Sequence, residues 1–169
     1  MTNRKQLFCF LLALFIPLHL HAQDLIISEF MAVNNSGLLD EDGDSSDWIE
    51  LHNVSPGPID LTGWRLTDDA ADPFKWVFPN LTINADQRLV VFASNKDRTN
   101  PAMELHTNFR LTGNGEYLGL IRPDSSIAYE FAPSFPEQLP DVSYGVGLVA
   151  TNQDTFVDNG TLLTAHIPA

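Results

Sequence analysis

From Leu25 onward the apolar residues come in short runs, separated by turn-forming clusters roughly every ten residues. Residues 23–32, with Leu-Ile-Ile-Ser-Glu-Phe-Met-Ala at their centre, read as a first strand, and Asn34-Asn35-Ser36-Gly37 as a turn. An acidic loop then leads into Trp48-Ile49-Glu50-Leu51-His52, where Ile49 and Leu51 point one way and Trp48, Glu50 and His52 the other. Ser55-Pro56-Gly57-Pro58 breaks the pattern, and short strands follow at 58–61, 64–68, 75–78 and 81–83. The run Arg88-Leu89-Val90-Val91-Phe92-Ala93 is the most apolar after the N-terminal residues and predicts a central strand buried on both faces. Residues 94–105 are polar and irregular, with Pro101 among them; the strand pattern resumes at 107–111, 117–121 and 127–131. Outside the N-terminal residues no window has the spacing of an amphipathic helix. Many short strands between turns indicate an all-β sandwich or barrel.

The first 22 residues belong to a different pattern. Arg4 and Lys5 precede an almost unbroken apolar run from Leu7 to Leu20, and small Ala22 stands before Gln23. This is the layout of a cleaved signal peptide, so the chain is expected to be secreted or held at the cell surface. A retained anchor is the alternative, but Pro17 and His19 interrupt a run already short for a bilayer, so no stable span is expected after cleavage. Cys9, the single cysteine, lies in this leader, leaving an exported domain without a disulfide. Beyond Phe131, Pro133, Pro136 and Pro140 interrupt the pattern. The expected organisation is therefore a leader at 1–22, a domain at 23–146, and a tail or linker at 147–169 that could also begin a further module.

Charge changes the picture next. The net charge of −13 becomes −15 when the leader takes Arg4 and Lys5 with it, and such a surface repels phosphate backbones and argues against nucleic-acid binding. Negative charge is densest in Leu38-Leu39-Asp40-Glu41-Asp42-Gly43-Asp44-Ser45-Ser46-Asp47, where it needs water, a cation or basic neighbours. Asp40, Asp42 and Asp44 alternate, so in an extended loop their carboxylates converge; Asp47 lies three residues on, and hard oxygen ligands suit calcium. The spacing is not that of an EF-hand, since Gly43 falls between the second and third acids and Leu51 stands where a bidentate Glu belongs. A solvated acidic turn is the alternative.

Glu29 and Glu50 sit inside apolar strands, where an unpaired carboxylate is costly, so partners are expected among Arg65, Arg88 and Arg110, or at an ion site. Paired carboxylates also serve glycosidases, but the chain is short for that and has no cleft-forming insertions. After the leader there is no cysteine, no Gly-x-Ser-x-Gly elbow and no His-Glu-x-x-His; of the histidines His52, His106 and His166, the first two read as surface or strand-edge residues. Asn34, Asn53, Asn80 and Asn159 open glycosylation triplets, which matter only in a host that uses them.

Taken together, the motifs resemble the lamin-tail domain family in its secreted bacterial form. The likeness is carried by Ile27-Ser28-Glu29-Phe30-Met31, Asp42-Gly43-Asp44, Asp47-Trp48-Ile49-Glu50-Leu51 with Asn53, and Asp60-Leu61-Thr62-Gly63-Trp64. It continues through Leu66-Thr67-Asp68, Trp76-Val77-Phe78-Pro79, Val90-Val91-Phe92-Ala93-Ser94, Leu105-His106-Thr107-Asn108-Phe109, Gly115-Glu116 and Asp141-Val142-Ser143-Tyr144-Gly145. The resemblance implies an immunoglobulin-like antiparallel β-sandwich that serves as an interaction or architectural unit, with no catalytic residues to carry over. A disulfide-free sandwich needs large side chains between its sheets, and Trp48, Trp64, Trp76 and Phe92 are expected there.

The sequence thus points to an exported, non-catalytic module for interaction or spacing, with calcium as a candidate stabiliser held by Asp40, Asp42, Asp44 and Asp47. Its expected partner is a protein, a glycan or the cell envelope. Two alternatives stand beside it: an accessory domain of a larger secreted enzyme, and a small hydrolase using Glu29 and Glu50.

Overall fold

Alternation of apolar and polar side chains along short strands folds the chain into two stacked sheets, seen in a computed structural model that describes residues 24–145 and the backbone of 157–158 and 161–162. The expected leader at 1–22 and most of the tail at 147–169 lie outside the described residues. In chain order the strands are β1 (Leu25–Met31), β2 (Asp47–Asn53), β3 (Ile59–Asp60), β4 (Arg65–Thr67), β5 (Trp76–Val77), β6 (Thr82–Ile83) and β7 (Arg88–Ala93). They continue with β8 (Leu105–His106), β9 (Leu118–Ile121), β10 (Ile127–Phe131), β11 (Tyr144–Gly145), β12 (Val157–Asp158) and β13 (Thr161–Leu162). The described residues contain no helix, and so none long and apolar enough to cross a membrane.

The first sheet has the order β11-β1-β2-β7-β8 and the second β10-β9-β4-β5; β3 pairs with β6, and β12 with β13, as separate two-stranded ribbons. Every pairing is antiparallel except β7 with β8, a departure from the all-antiparallel expectation. The parallel pair arises because 94–104 loops back before β8 begins, and Arg98 then bridges the far side of His106.

Register separates the faces of the first sheet. Phe30, Ile49, Val91 and Leu105 lie in one cross-strand row, are buried, and belong to the core with Leu66, Trp76, Leu118 and Leu120 of the second sheet. Phe30 meets Phe131 across the sandwich at 5.1 Å between ring centroids. Burying this apolar area is the main force holding a disulfide-free domain together. Trp64 and Trp76 are core residues as expected. Trp48 and Phe92 are not: they share the next row, Met31–Trp48–Phe92–His106, whose side chains leave the opposite face. One residue of displacement along a strand turns a side chain to the other side of the sheet, so neither can reach between the layers.

β7 is central, as its composition predicts, but it is buried on both faces only in its second half; Arg88 is exposed and Leu89 and Val90 are half-buried. Segment 133–138 closes one end of the core through Phe135, whose amide donates to the Glu116 carbonyl at 2.9 Å. That contact requires Gly115, which has φ +91° and would press any Cβ against the Phe135 carbonyl oxygen.

Candidate functional site

The acidic loop is built around Asp40. Its Oδ1 accepts the amides of Asp42 and Asp44 at 3.0 Å each, and its Oδ2 accepts the Ser46 hydroxyl at 2.8 Å. Backbone bonds close the same turn, Gly43 N to Asp40 O at 2.8 Å and Asp40 N to Asp44 O at 2.9 Å, with Gly43 at φ +81°. An aspartate that satisfies several backbone amides at once fixes a loop that has no sheet partner. Asn34 holds the two ends together, donating to the carbonyls of Leu38 at 2.7 Å and Ser46 at 2.8 Å.

Antiparallel pairing of β2 with β7 puts the residues after Ala93 beside those before Asp47. Lys96 therefore enters the loop, and its Nζ lies 2.6 Å from Asp40 Oδ2, 2.7 Å from Asp42 Oδ2 and 2.9 Å from Asp44 Oδ2. Arg98 adds a second clasp, with Nη1 2.8 Å from Glu41 Oε1 and Nη2 2.7 Å from Asp42 Oδ2. The expected carboxylate convergence is present: ligand oxygens of Asp40, Asp42 and Asp44 all lie within 4.8 Å of one another. At their centre stands an ammonium group.

Asp47 is not with them. It begins β2 on the face opposite Trp48, opposite Ala93 of the core, and accepts the Asn34 amide at 3.2 Å. Burial drives its carboxyl up to about 6, against the pull of the Asn34 amide and the nearby Arg110 charge. At Asp40 burial acts in the same upward sense, but the bonds from Lys96, Ser46 and the loop amides outweigh it and hold the carboxyl well below its usual range. Asp42 is lowered chiefly by Lys96 and Arg98. Burial works to lower Lys96, yet the three carboxylates raise it above an ordinary lysine.

The outer-face row comes near this loop at Met31 and His106. Met31, Phe92 and His106 are buried although they face away from the core, and a methyl group on Gly37 would meet the Met31 sulfur at 3.7 Å. His106 stacks on Phe92 with ring centroids 5.3 Å apart and bonds Ser94 Oγ through Nδ1 at 2.8 Å. Its pKa is depressed by burial and by Lys96. Beside the loop an open groove of about 540 Å³ is lined by Glu41, Asp42, Arg98, Thr99, Asn100 and Met103.

His52 and His106, expected at the surface or at a strand edge, are both buried, so the expectation is corrected for His52 and holds for His106 only in its place on an edge strand. His52, at 6% exposed, lies on interior strand β2 and is capped by Asp86 at 2.9 Å; His106 has no exposed surface even though β8 is an edge strand. Glu29 and Glu50 face each other across β1 and β2. Glu50 is held by Arg88 at 2.5 Å and by the Ser28 hydroxyl at 2.6 Å, while Glu29 accepts the Ser143 hydroxyl rather than an arginine. Lys96 and Arg98 were not among the expected partners of any carboxylate. The signal available for them was positional: they follow the strand most apt to pair with β2.

Comparison with known families matches the Lamin Tail Domain over residues 21–131, more than half of the chain. No curated protein matches significantly. The family is one of non-catalytic, immunoglobulin-like domains that serve as interaction modules. The matched residues span β1 to β10, with the Lys96-filled loop between the first two strands, and the chain belongs to the lamin-tail domain family.

Proposed function

We propose that this chain is an exported, non-catalytic interaction module that presents the clasped acidic loop to a partner outside the cell or at its surface. The observation that carries this reading is the construction of the loop: an exposed, charged segment held rigid against the sheet by Asp40 and Lys96. A preorganised surface loses little entropy on binding. Leu38 and Leu39, about half exposed on this loop, supply apolar contact area beside the charges. The engagement of Glu50 with Arg88 and of Glu29 with Ser143 favours a structural over a catalytic role for that pair. Export follows from the basic and apolar leader. Fractionation of producing cells with N-terminal sequencing tests it: a chain outside the cytoplasm beginning at Gln23 is expected, and a cytoplasmic chain retaining Arg4 and Lys5 would overturn it.

Calcium is the second part of the reading, favoured by the convergence of Asp40, Asp42 and Asp44. To bind there it displaces the Lys96 ammonium, with Asp47 playing no part. Thermal unfolding in chelator and then in calcium decides this. Linkage gives a gain of about 2.7 kcal/mol at a hundredfold excess over Kd; an unchanged Tm would leave the loop's carboxylates to Lys96 and Arg98 alone.

A further inference from the structure

The turn that carries Gly115 also receives the closing segment of the sandwich. Phe135 N donates to the Glu116 carbonyl at 2.9 Å and Gln138 N to the Gly113 carbonyl at 2.7 Å, with Phe135 buried in the core. Asn114 stands between those two carbonyls, exposed, and its carboxamide makes no hydrogen bond among the described residues. The next residue is a glycine, so no side chain shields its backbone nitrogen from that carboxamide. The bond engaging this nitrogen, Gly115 N to the Thr112 carbonyl, is 3.2 Å, at the long limit of an N–H···O bond. Asp42-Gly43, the same pairing with an acid, is arranged oppositely. Gly43 N is held at 2.8 Å by the Asp40 carbonyl, and Asp42 Oδ2 is fixed by Lys96 and Arg98 at 2.7 Å each. Asp42 is an ionised carboxylate and Asn114 a neutral carboxamide, and the negative charge of the first resists attack by an electron pair. A second such pair, Asn159-Gly160, lies outside the described residues.

We propose that Asn114 is a self-modification site: it deamidates through a cyclic imide with Gly115, and the isoaspartyl product releases the 133–138 segment from the turn. Gly115 N gives its proton to solvent base and bonds to Asn114 Cγ; the Cγ–Nδ2 bond breaks, and Nδ2 takes up a proton and leaves as ammonia. Water then opens the imide at either of its carbonyls. Opening at Cγ leaves an aspartate with the backbone unchanged. Opening at the backbone carbonyl routes the chain through Cβ and Cγ and lengthens it by an atom. That atom falls between Gly113 and Glu116, whose carbonyls hold Gln138 and Phe135, so the two bonds lose their common register. The turn has no room to swell toward the segment, because at Gly115 even a Cβ would strike the Phe135 carbonyl oxygen. The aspartyl product changes only the charge of an exposed side chain, a small effect by comparison.

Ageing of the purified protein at mildly alkaline pH tests the chemistry, read by tandem mass spectrometry of the fragment Leu105–Glu116 released by a glutamyl endopeptidase. The same fragment aged as a free peptide is the reference. In the folded protein Asn114 is expected to lose its amide at a rate within about tenfold of the peptide's, as an exposed turn that opens readily allows. Asn114→Gln, whose longer side chain would have to close a larger ring, is expected to keep its amide. The isoaspartyl protein, separated by ion exchange, is expected to melt below Asn114→Asp and to exchange the Phe135 and Gln138 amides at least about tenfold faster. A folded protein that keeps the Asn114 amide while the peptide loses it would overturn the proposal. So would an isoaspartyl protein that matches Asn114→Asp in both melting and exchange.

Discussion

Lys96 Nζ lies 2.6 Å from Asp40 Oδ2, and the Asp40 side chain has no solvent-exposed surface although it belongs to a loop. Burying a carboxylate is unfavourable unless a cation and donors compensate, so the lysine is required by the turn it closes. In chelator, Lys96→Met is expected to lose about 2 kcal/mol, less than for a fully enclosed pair because the lysine keeps part of its surface in water. Calcium is expected to raise the Tm of this variant more than that of the wild type, since no ammonium has to leave. Differential scanning calorimetry with and without calcium measures both effects.

Asp40, buried, and Asp47, half-buried, titrate in opposite senses. Asp40 has a depressed native pKa, so its contribution is present above the ordinary carboxylate value of 3.8 and is lost as pH falls below it. Asp47 is raised to about 6; its contribution is full below 3.8 and is lost as pH rises through 6. Asp47→Asn is expected to flatten stability between pH 4 and pH 6, a window worth at most about 1–2 kcal/mol after solvent screening. Urea unfolding across that range checks it, and the acid limb governed by Asp40 is expected to remain.

Outer-face and core substitutions are expected to separate. Leu66→Ala removes fully buried core contacts and is expected to cost about 3 kcal/mol of global stability. Phe92→Ala removes the ring that stacks on His106, the imidazole that senses the Lys96 and Asp40 charges, and is expected, in addition, to speed hydrogen exchange at the Asp42 and Asp44 amides that bond Asp40. Exchange monitored under native conditions distinguishes loosening of the loop from unfolding of the sandwich.

At Gly115 the backbone itself sets the constraint. Gly115→Ala combines a left-handed φ with a clash against the Phe135 carbonyl, and is expected to cost about 2 kcal/mol or more in chemical denaturation.

Strand composition made most of this architecture legible. β7 and β10 fall where the apolar runs place them, and the alternation in β2 assigns Ile49 and Leu51 to the core. β8 was hidden because two residues paired in parallel carry no periodicity, and Thr107 to Leu111, read as a strand, forms only an isolated bridge through Arg110. The placement of Trp48 was implicit in the same alternation, but bulk and hydrophobicity suggested the core; it lies half-buried on the outer face instead. For the site, the sequence held the converging acids but not their counter-ion. Lys96 lies 56 residues from Asp40, and only the register of β2 against β7 brings them together.

A double-mutant cycle on Asp40→Asn and Lys96→Met, by urea unfolding in chelator, addresses the clasp most directly. A coupling of about 1–3 kcal/mol is expected, the two single losses exceeding their share of the double. Strictly additive losses would mean that the ammonium and the carboxylate do not hold the loop together, contradicting the account at its centre.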